Sequence, residues 1–234
     1  MPDFHTVFNG RSKVFLAVVH AQDNQQATLN AQIAYTNGAD GIWLIGHRMD
    51  AAELNKCYDL VRVTLPPLWI GLNYLEVFSS EQALELLPGD ANGIWFDDAG
   101  YNENSERPEK EVRELRNRHK ALAPHVLLFG GIAHKGNAPI KDLKQAVQMS
   151  SPLLDVVVTT GAGTGIAADP QKIKDMRHWQ RDVPLALASG VTPKNASEYL
   201  PHVDCIMVAT GVSKTFHLLD APKVAALSKI VRSY

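Results

Sequence analysis

LDVVVTTGAGTG (154–165), PLALASGVT (184–192) and DCIMVATGVSK (204–214) share one pattern: an apolar run that breaks into a loop of Gly, Ser and Thr. Near-continuous Val, Ile, Leu and Ala suits a parallel strand covered on both faces. Working back toward the N-terminus, similar runs appear at VFLAVVH (14–20), DGIWLIG (40–46), LWIGLN (68–73), NGIWFDD (92–98) and HVLLFGG (125–131). The eight runs start 20 to 33 residues apart, room for one strand, one helix and two short loops per unit. The predicted fold class is α/β: a single (β/α)8 (TIM) barrel domain over residues 1–234, with phosphate-binding loops after strands six to eight. An open, doubly wound sheet is the competing architecture.

Helical patterns fill the gaps. NQQATLNAQIAYTNG repeats apolar residues at Leu29, Ile33 and Ala34 and runs into Gly38, a C-cap residue. RPEKEVRELRNRHKALA puts acids early and bases late, which suits the helix dipole. Ser79 and Ser80 are placed to cap EQALELL, and Thr192-Pro193 reads as a helix start with proline in the first turn. Strand-entry sequences also echo one another. Ala39-Asp40-Gly41-Ile42-Trp43 returns as Ala91-Asn92-Gly93-Ile94-Trp95, and more loosely at Leu154-Asp155-Val156-Val157 and Val203-Asp204-Cys205-Ile206. These are strands two, four, six and eight, a periodicity that favours a barrel of repeated units.

Composition narrows the function classes. A net charge of −2 gives no general attraction to nucleic acid or anionic membrane. The first twenty residues lack the pattern of a signal peptide, and no apolar run reaches the roughly 18–20 residues of a spanning helix. Cys57 falls on an outer helix and Cys205 in a buried strand, so two reduced thiols and a cytoplasmic location are expected. Self-association as a homo-oligomer is left open.

Chemistry in this fold gathers at the C-terminal ends of the strands. The loops TTGAGTG (159–165), ASGVT (188–192) and ATGVSK (209–214) lie at three consecutive ends. Glycine lets backbone N–H groups approach an anion, and helix N-termini favour it electrostatically. The predicted phosphate site comprises Gly161, Gly163, Ser189, Gly190, Val191, Thr210, Gly211, Val212 and Ser213, with Lys214 as added charge. Ordinary turns would use the same residues singly; three such loops in series point to a phosphorylated ligand. The glycines at 161, 163 and 165 miss the dinucleotide spacing by one position and follow the sixth strand, so no nicotinamide cofactor is predicted.

Candidate acids and bases are His20, Asp97 and Asp98. Side chains alternate along a strand, so only one of the adjacent aspartates faces the barrel mouth. If Trp95 shares that side, it is Asp97; a cap or salt bridge is the bland alternative for either. Other mouth candidates are His47, Asn73, His134, Lys135 and Thr160. His20, His47, Asp97 and His134 offer divalent-metal ligand chemistry, but from four strands and without a local ligand motif. Lys135 reads as a solvated loop lysine ahead of a Schiff-base nucleophile.

The second half also carries a resemblance. Arg113-x-x-Arg116-x-Arg118, His134-Lys135 with Ala138-Pro139, Asp155 to Gly161 with Thr164-Gly165, Ser189-Gly190-Val191-Thr192-x-x-Asn195, and Val208-x-Thr210-Gly211-x-Ser213-Lys214 resemble the BtpA/SgcQ family. The resemblance covers about residues 107–231 and implies a phosphate-binding-type barrel. Two departures mark a divergent relative: His20 is followed by Ala21-Gln22-Asp23 instead of a Pro- and Gly-rich stretch, and His134-Lys135 reverses the family's order. Members range from a photosystem I biogenesis factor to proteins of undefined activity, so the resemblance brings no substrate.

The expected function is acid/base proton transfer on a phosphorylated small molecule of sugar-phosphate or phosphoribosyl type, as in an isomerase or lyase. The rival is a non-catalytic assembly or regulatory barrel that keeps the anion pocket.

Overall fold

A computed structural model describes residues 2–77, 79–180 and 182–234. The first half runs α1 (Phe4–Val7), β1 (Val14–Ala21), α2 (Asn24–Thr36), β2 (Gly41–Gly46), α3 (Ala51–Thr64), β3 (Trp69–Asn73), α4 (Ser80–Glu85), β4 (Gly93–Phe96) and α5 (Lys110–Leu122). The second runs β5 (Leu127–Gly131), α6 (Leu143–Ser150), β6 (Val156–Thr160), α7 (Pro170–Gln180), β7 (Leu185–Ala188), α8 (Ala196–Tyr199) and β8 (Cys205–Val208). A short hairpin of β9 (Ser213–Thr215) and β10 (Leu218–Leu219) precedes α9 (Ala221–Arg232). Strands β1 to β8 pair in sequence order, all parallel, and β8 pairs back onto β1, with Val14 opposite Cys205. The sheet is therefore a closed barrel, and the open doubly wound arrangement is excluded.

Two apolar layers hold it together. One lies between strands and helices, where Phe15, Ile42, Ile70 and Val157 meet Ala31, Tyr58, Leu115 and Val224. The other fills the barrel and alternates with it along every strand: Leu16 and Val18 on β1, Trp43 and Ile45 on β2, Trp69, Trp95, Phe129, and Val156 and Val158 on β6. Large rings on β2 to β5 face the smaller Ala186, Ala188 and Cys205 of β7 and β8. Space for the tryptophans comes from Gly71, where a Cβ would lie 2.3 Å from the Trp43 ring, and Gly93, where it would lie 2.6 Å from Trp69. The foot of the barrel is closed by α1, whose Phe4 packs on Phe129 and whose following Phe8 packs on Trp69 at 5.3 Å. Asp3 caps this four-residue helix through Thr6 N–H. Cys57 and Cys205 lie in different layers, both as free thiols.

The echo before the even strands has a physical cause. Asp40, Asn92, Asp155 and Asp204 each donate their own N–H to a carbonyl of the preceding odd strand: Phe15, Ile70, Leu128 and Leu185. Each side chain then accepts the N–H of that same residue, at 2.8 to 2.9 Å. An arginine from α9, α3, α5 or α7 completes each clamp: Arg232 on Asp40, Arg62 on Asn92, Arg116 on Asp155 and Arg177 on Asp204. Four equivalent clamps thus join alternate strands to alternate helices.

Ser79 caps α4 as expected, through Gln82 N–H. The predicted helix start at Thr192-Pro193 is corrected. Asn195 Oδ1 accepts both the N–H and the hydroxyl of Thr192, which makes residues 192–195 a turn, and α8 begins at Ala196. Among the described residues no helix is long and apolar enough to cross a membrane.

Candidate functional site

A cavity opens at the C-terminal end of the barrel. His20, His47 and Asp97 reach it from the ends of β1, β2 and β4, and Lys135, Thr164, Ser189 and Thr210 from the loops after β5 to β8. Strand parity explains the first three: each stands two residues beyond an inward-facing Val18, Ile45 or Trp95.

Asp97 is the carboxylate at the mouth. Asn73 Nδ2 donates to its Oδ1 at 2.8 Å, and Asn137 Nδ2 donates to its backbone carbonyl at 3.0 Å. Asp98 is exposed and lines no part of the cavity; its Oδ1 accepts from Gly100 N–H at 2.7 Å, closing a turn. The choice left open by sequence is thereby made by geometry. His134 lies behind Asp97, with a side chain wholly buried. Its Nδ1 meets the Lys135 carbonyl at 2.9 Å and therefore donates, which leaves an Nε2 lone pair 3.8 Å from Asp97 Oδ1 with no hydrogen-bond partner.

His20 and His47 meet at 3.0 Å, Nδ1 to Nε2. Burial, then the neighbouring His47, Lys135 and His217, push the His20 pKa down to about 3, so the ring is neutral at ordinary pH. Burial likewise lowers His47 and His134. Lys135 is lowered by burial while Asp97 opposes the shift; its Nζ donates to Thr164 Oγ1 at 3.1 Å. Among the described residues no three His, Cys, Asp or Glu side chains gather as metal ligands, so the four-residue set considered from sequence is not assembled.

The glycine loops are packed against one another. A Cβ at Gly161 or Gly190 would lie 2.2 Å from the Ile166 carbonyl oxygen, and one at Gly211 would lie 1.8 Å from that of Val191. Gly190 has φ +72° and Ser189 φ +73°, a left-handed backbone that is uncommon for serine. Ser189 Oγ accepts from Gly165 N–H and donates to the Gly163 carbonyl, both at 3.0 Å, tying two loops together at the cavity edge. Among the described residues the N–H groups of Gly190 and Val191 have no hydrogen-bond partner outside the regular elements, but neither they nor Gly161, Gly163 and Gly211 line the cavity, whose wall on this side is Thr164, Ser189 and Thr210.

Several predicted phosphate residues are already committed within the protein. Val212 N–H closes a turn onto Ala209 at 3.0 Å, so it is not a donor for a ligand. Ser213 Oγ also donates to the Ala209 carbonyl. Thr160 is buried, accepts from Lys135 N–H and donates to Gly161. Lys214 is exposed on β9 and does not line the cavity. Thr164, named from sequence only as part of the TTGAGTG loop and the family motif, lines it, and so does Phe216, which the sequence does not single out. Phe216 sits on the β9–β10 hairpin and stacks on His20 with centroids 4.4 Å apart and planes 7° from parallel. Lys172 is a further missed residue. From α7 its Nζ donates to the Ala133 and Thr160 carbonyls at 2.8 and 2.9 Å, fixing the ends of β5 and β6, and burial brings its pKa down to about 8.

No protein-family model matches the sequence, and no curated protein sequence matches it significantly. Solved structures do match. (S)-3-O-geranylgeranylglyceryl phosphate synthase from Thermoplasma acidophilum, in complex with sn-glycerol-1-phosphate, superposes with TM-score 0.71 at 13% identity over 100% of both chains. Phosphoribosylanthranilate isomerase from Thermotoga maritima gives 0.63 at 13% identity, covering 94% of this chain and 100% of its own. A native KDPGal structure gives 0.67 at 14% identity over 94% of each chain. At these identities the likeness establishes the (β/α)8 barrel and nothing finer.

Proposed function

We propose that this chain is an enzyme acting on a phosphorylated small molecule by proton transfer, in the manner of an isomerase or lyase. One observation carries the reading. A carboxylate, a neutral imidazole and an ammonium group (Asp97, His20 and Lys135) line the same cavity as Thr164, Ser189 and Thr210 of the glycine loops. The phosphate lies against those hydroxyls, with Lys135 balancing its charge. Binding energy from that end positions the reacting carbon near Asp97 and His20. Asp97 Oδ1 is held by Asn73, so Oδ2 takes or returns the proton. His20 Nδ1 is engaged with His47, so its exchange with substrate falls to Nε2.

Two structurally similar enzymes carry phosphate in the compounds or activities that describe them: the Thermoplasma synthase, and phosphoribosylanthranilate isomerase, seen from Thermotoga maritima and in complex with reduced 1-(o-carboxyphenylamino)-1-deoxyribulose 5-phosphate. This supports a sugar-phosphate or phosphoribosyl type of ligand. The family reading as a divergent BtpA/SgcQ relative rests on the motif residues between 113 and 214.

The test is thermal unfolding with and without a panel of phosphorylated compounds, against sulfate and unphosphorylated analogues at matched ionic strength. A ligand at a hundred times its Kd adds about 2.7 kcal/mol, several degrees for a domain of this size. A selective rise that disappears in Thr164→Glu supports the site; Thr164 is exposed and tolerates the longer side chain. No rise with any phosphorylated compound overturns it.

A further inference from the structure

The cavity has a polar rim and an apolar floor. One layer beneath His20, His47, Asp97 and Ala209 lie Val18, Ile45, Trp95 and Met207, with Ala188 beside them. Val18, Ile45 and Ala188 offer no hydrogen-bonding atom, the Met207 thioether is only a weak acceptor, and the Trp95 indole nitrogen is buried away from the cavity without a partner. A hydroxyl-rich chain lowered onto this floor would lose its water and find no partner.

An exposed aromatic group also lines the cavity. Phe216 is 43% exposed, although the hairpin carrying it is firmly anchored. Asn30 Nδ2 and Gln26 Nε2 both donate to the His217 carbonyl, and Leu219 N–H donates to Asn30 Oδ1 at 2.8 Å. His217 Nδ1 lies 3.1 Å from the His20 carbonyl. The ring is therefore held at the cavity in advance of any ligand, stacked on His20, edge-on to His47 and His217, and partly exposed.

We propose that the ligand joins its phosphate to a planar, uncharged aromatic or conjugated group, held by the apolar floor and Phe216. This rests on the phosphate reading above and narrows it. A simple polyhydroxylated sugar phosphate is a poor fit, whereas a phosphorylated compound with an unsaturated ring attached satisfies both halves of the cavity. The floor excludes water from that group, and Phe216 supplies an offset-stacking surface.

The experiment is calorimetric titration of the intact protein with inorganic phosphate, glycerol phosphate, phenyl phosphate and phenol at matched ionic strength. Phenyl phosphate is expected to bind at least tenfold more tightly than glycerol phosphate, with the margin removed in Phe216→Ala and largely kept in Phe216→Tyr. If glycerol phosphate binds as tightly as phenyl phosphate to the unaltered protein, the inference is overturned while the anion site stands. If none of the phosphate compounds binds, the anion site falls and the inference with it.

Discussion

His20 Nδ1 and His47 Nε2 lie 3.0 Å apart, so one ring nitrogen donates and the other accepts. One added proton would put an imidazolium into a half-buried site next to Lys135 and His217, and two would also set like charges side by side. Burial and these neighbours keep His20 neutral at ordinary pH, which under the proposed function lets it exchange a proton with substrate without carrying a standing charge.

That arrangement makes folding sensitive to acid. An unfolded histidine titrates near 6.5, whereas in the folded chain His20 is pushed down to about 3. Between these values the unfolded state binds more protons, so stability is complete above about pH 6.5 and falls as pH drops toward 3. Thermal midpoints measured from pH 7 to pH 4 are expected to decline, and to decline less steeply in His20→Asn. Equal slopes would remove His20 from the account. His134 and His119, also lowered by burial, keep the variant's slope above zero.

Under the proposed proton transfer, Asn73 is the residue that positions Asp97. It is 3% exposed and lines none of the cavity, yet its Nδ2 fixes Asp97 Oδ1 at 2.8 Å. Asp97→Asn should lower kcat by about 10²–10⁴-fold, the usual contribution of a placed acid or base. Asn73→Ala should lower kcat by up to about 10²-fold with KM little changed, since misplacing a catalytic group costs rate before binding. Steady-state kinetics separate the two parameters, and a change confined to KM would contradict the positioning role.

How far the sequence shows these features follows from how local they are. Inward parity along a strand is local, so the step from Trp95 to Asp97 was readable up to a single either-or. The paired helix α1 and hairpin β9–β10 are not. Four residues at Phe4–Val7 show no helical period, and Phe216 meets His20 only after the barrel has closed over nearly two hundred residues of chain. The glycine loops are ambiguous for a different reason. A loop pressed against its neighbour and a loop that cradles an anion both demand the absence of a Cβ, and Gly211 against Val191 shows the first demand at 1.8 Å. Val212 and Ser213 looked like ligand donors because their bonds to Ala209 follow from a turn geometry that residue type does not specify.

The four clamps at the strand entries predict a graded stability series. Asp155 accepts from Leu128 N–H and pairs with Arg116 at 2.6 Å, both side chains 10% exposed. Asp155→Ala leaves the buried Arg116 guanidinium without its counter-charge, with only His119 Nδ1 still accepting from it, and the Leu128 N–H without an acceptor, a loss of about 3–5 kcal/mol. Asp155→Asn keeps an acceptor, as Asn92 does at the equivalent position, and should cost less, about 1–2 kcal/mol. Urea unfolding of the two variants orders them; equal losses would mean that the charge, and not the acceptor, dominates.

The barrel interior predicts a compensating pair. Gly71 leaves the space that the six-membered ring of Trp43 occupies, and Trp43 is wholly buried against Trp69 and Phe129. A methyl group at position 71 would stand 2.3 Å from that ring, with the β2–β3 ladder preventing retreat. Gly71→Ala should therefore destabilise by about 1–3 kcal/mol, as overpacked cores do. Trp43→Phe alone leaves a void and should also destabilise. Their effects must not add. The methyl fills part of what the smaller ring vacates, so the double variant should be more stable than the sum of the two losses allows, by about 0.5–3 kcal/mol. Denaturant unfolding of all four proteins measures this coupling directly, and strict additivity would mean that the strands shift apart around the methyl group.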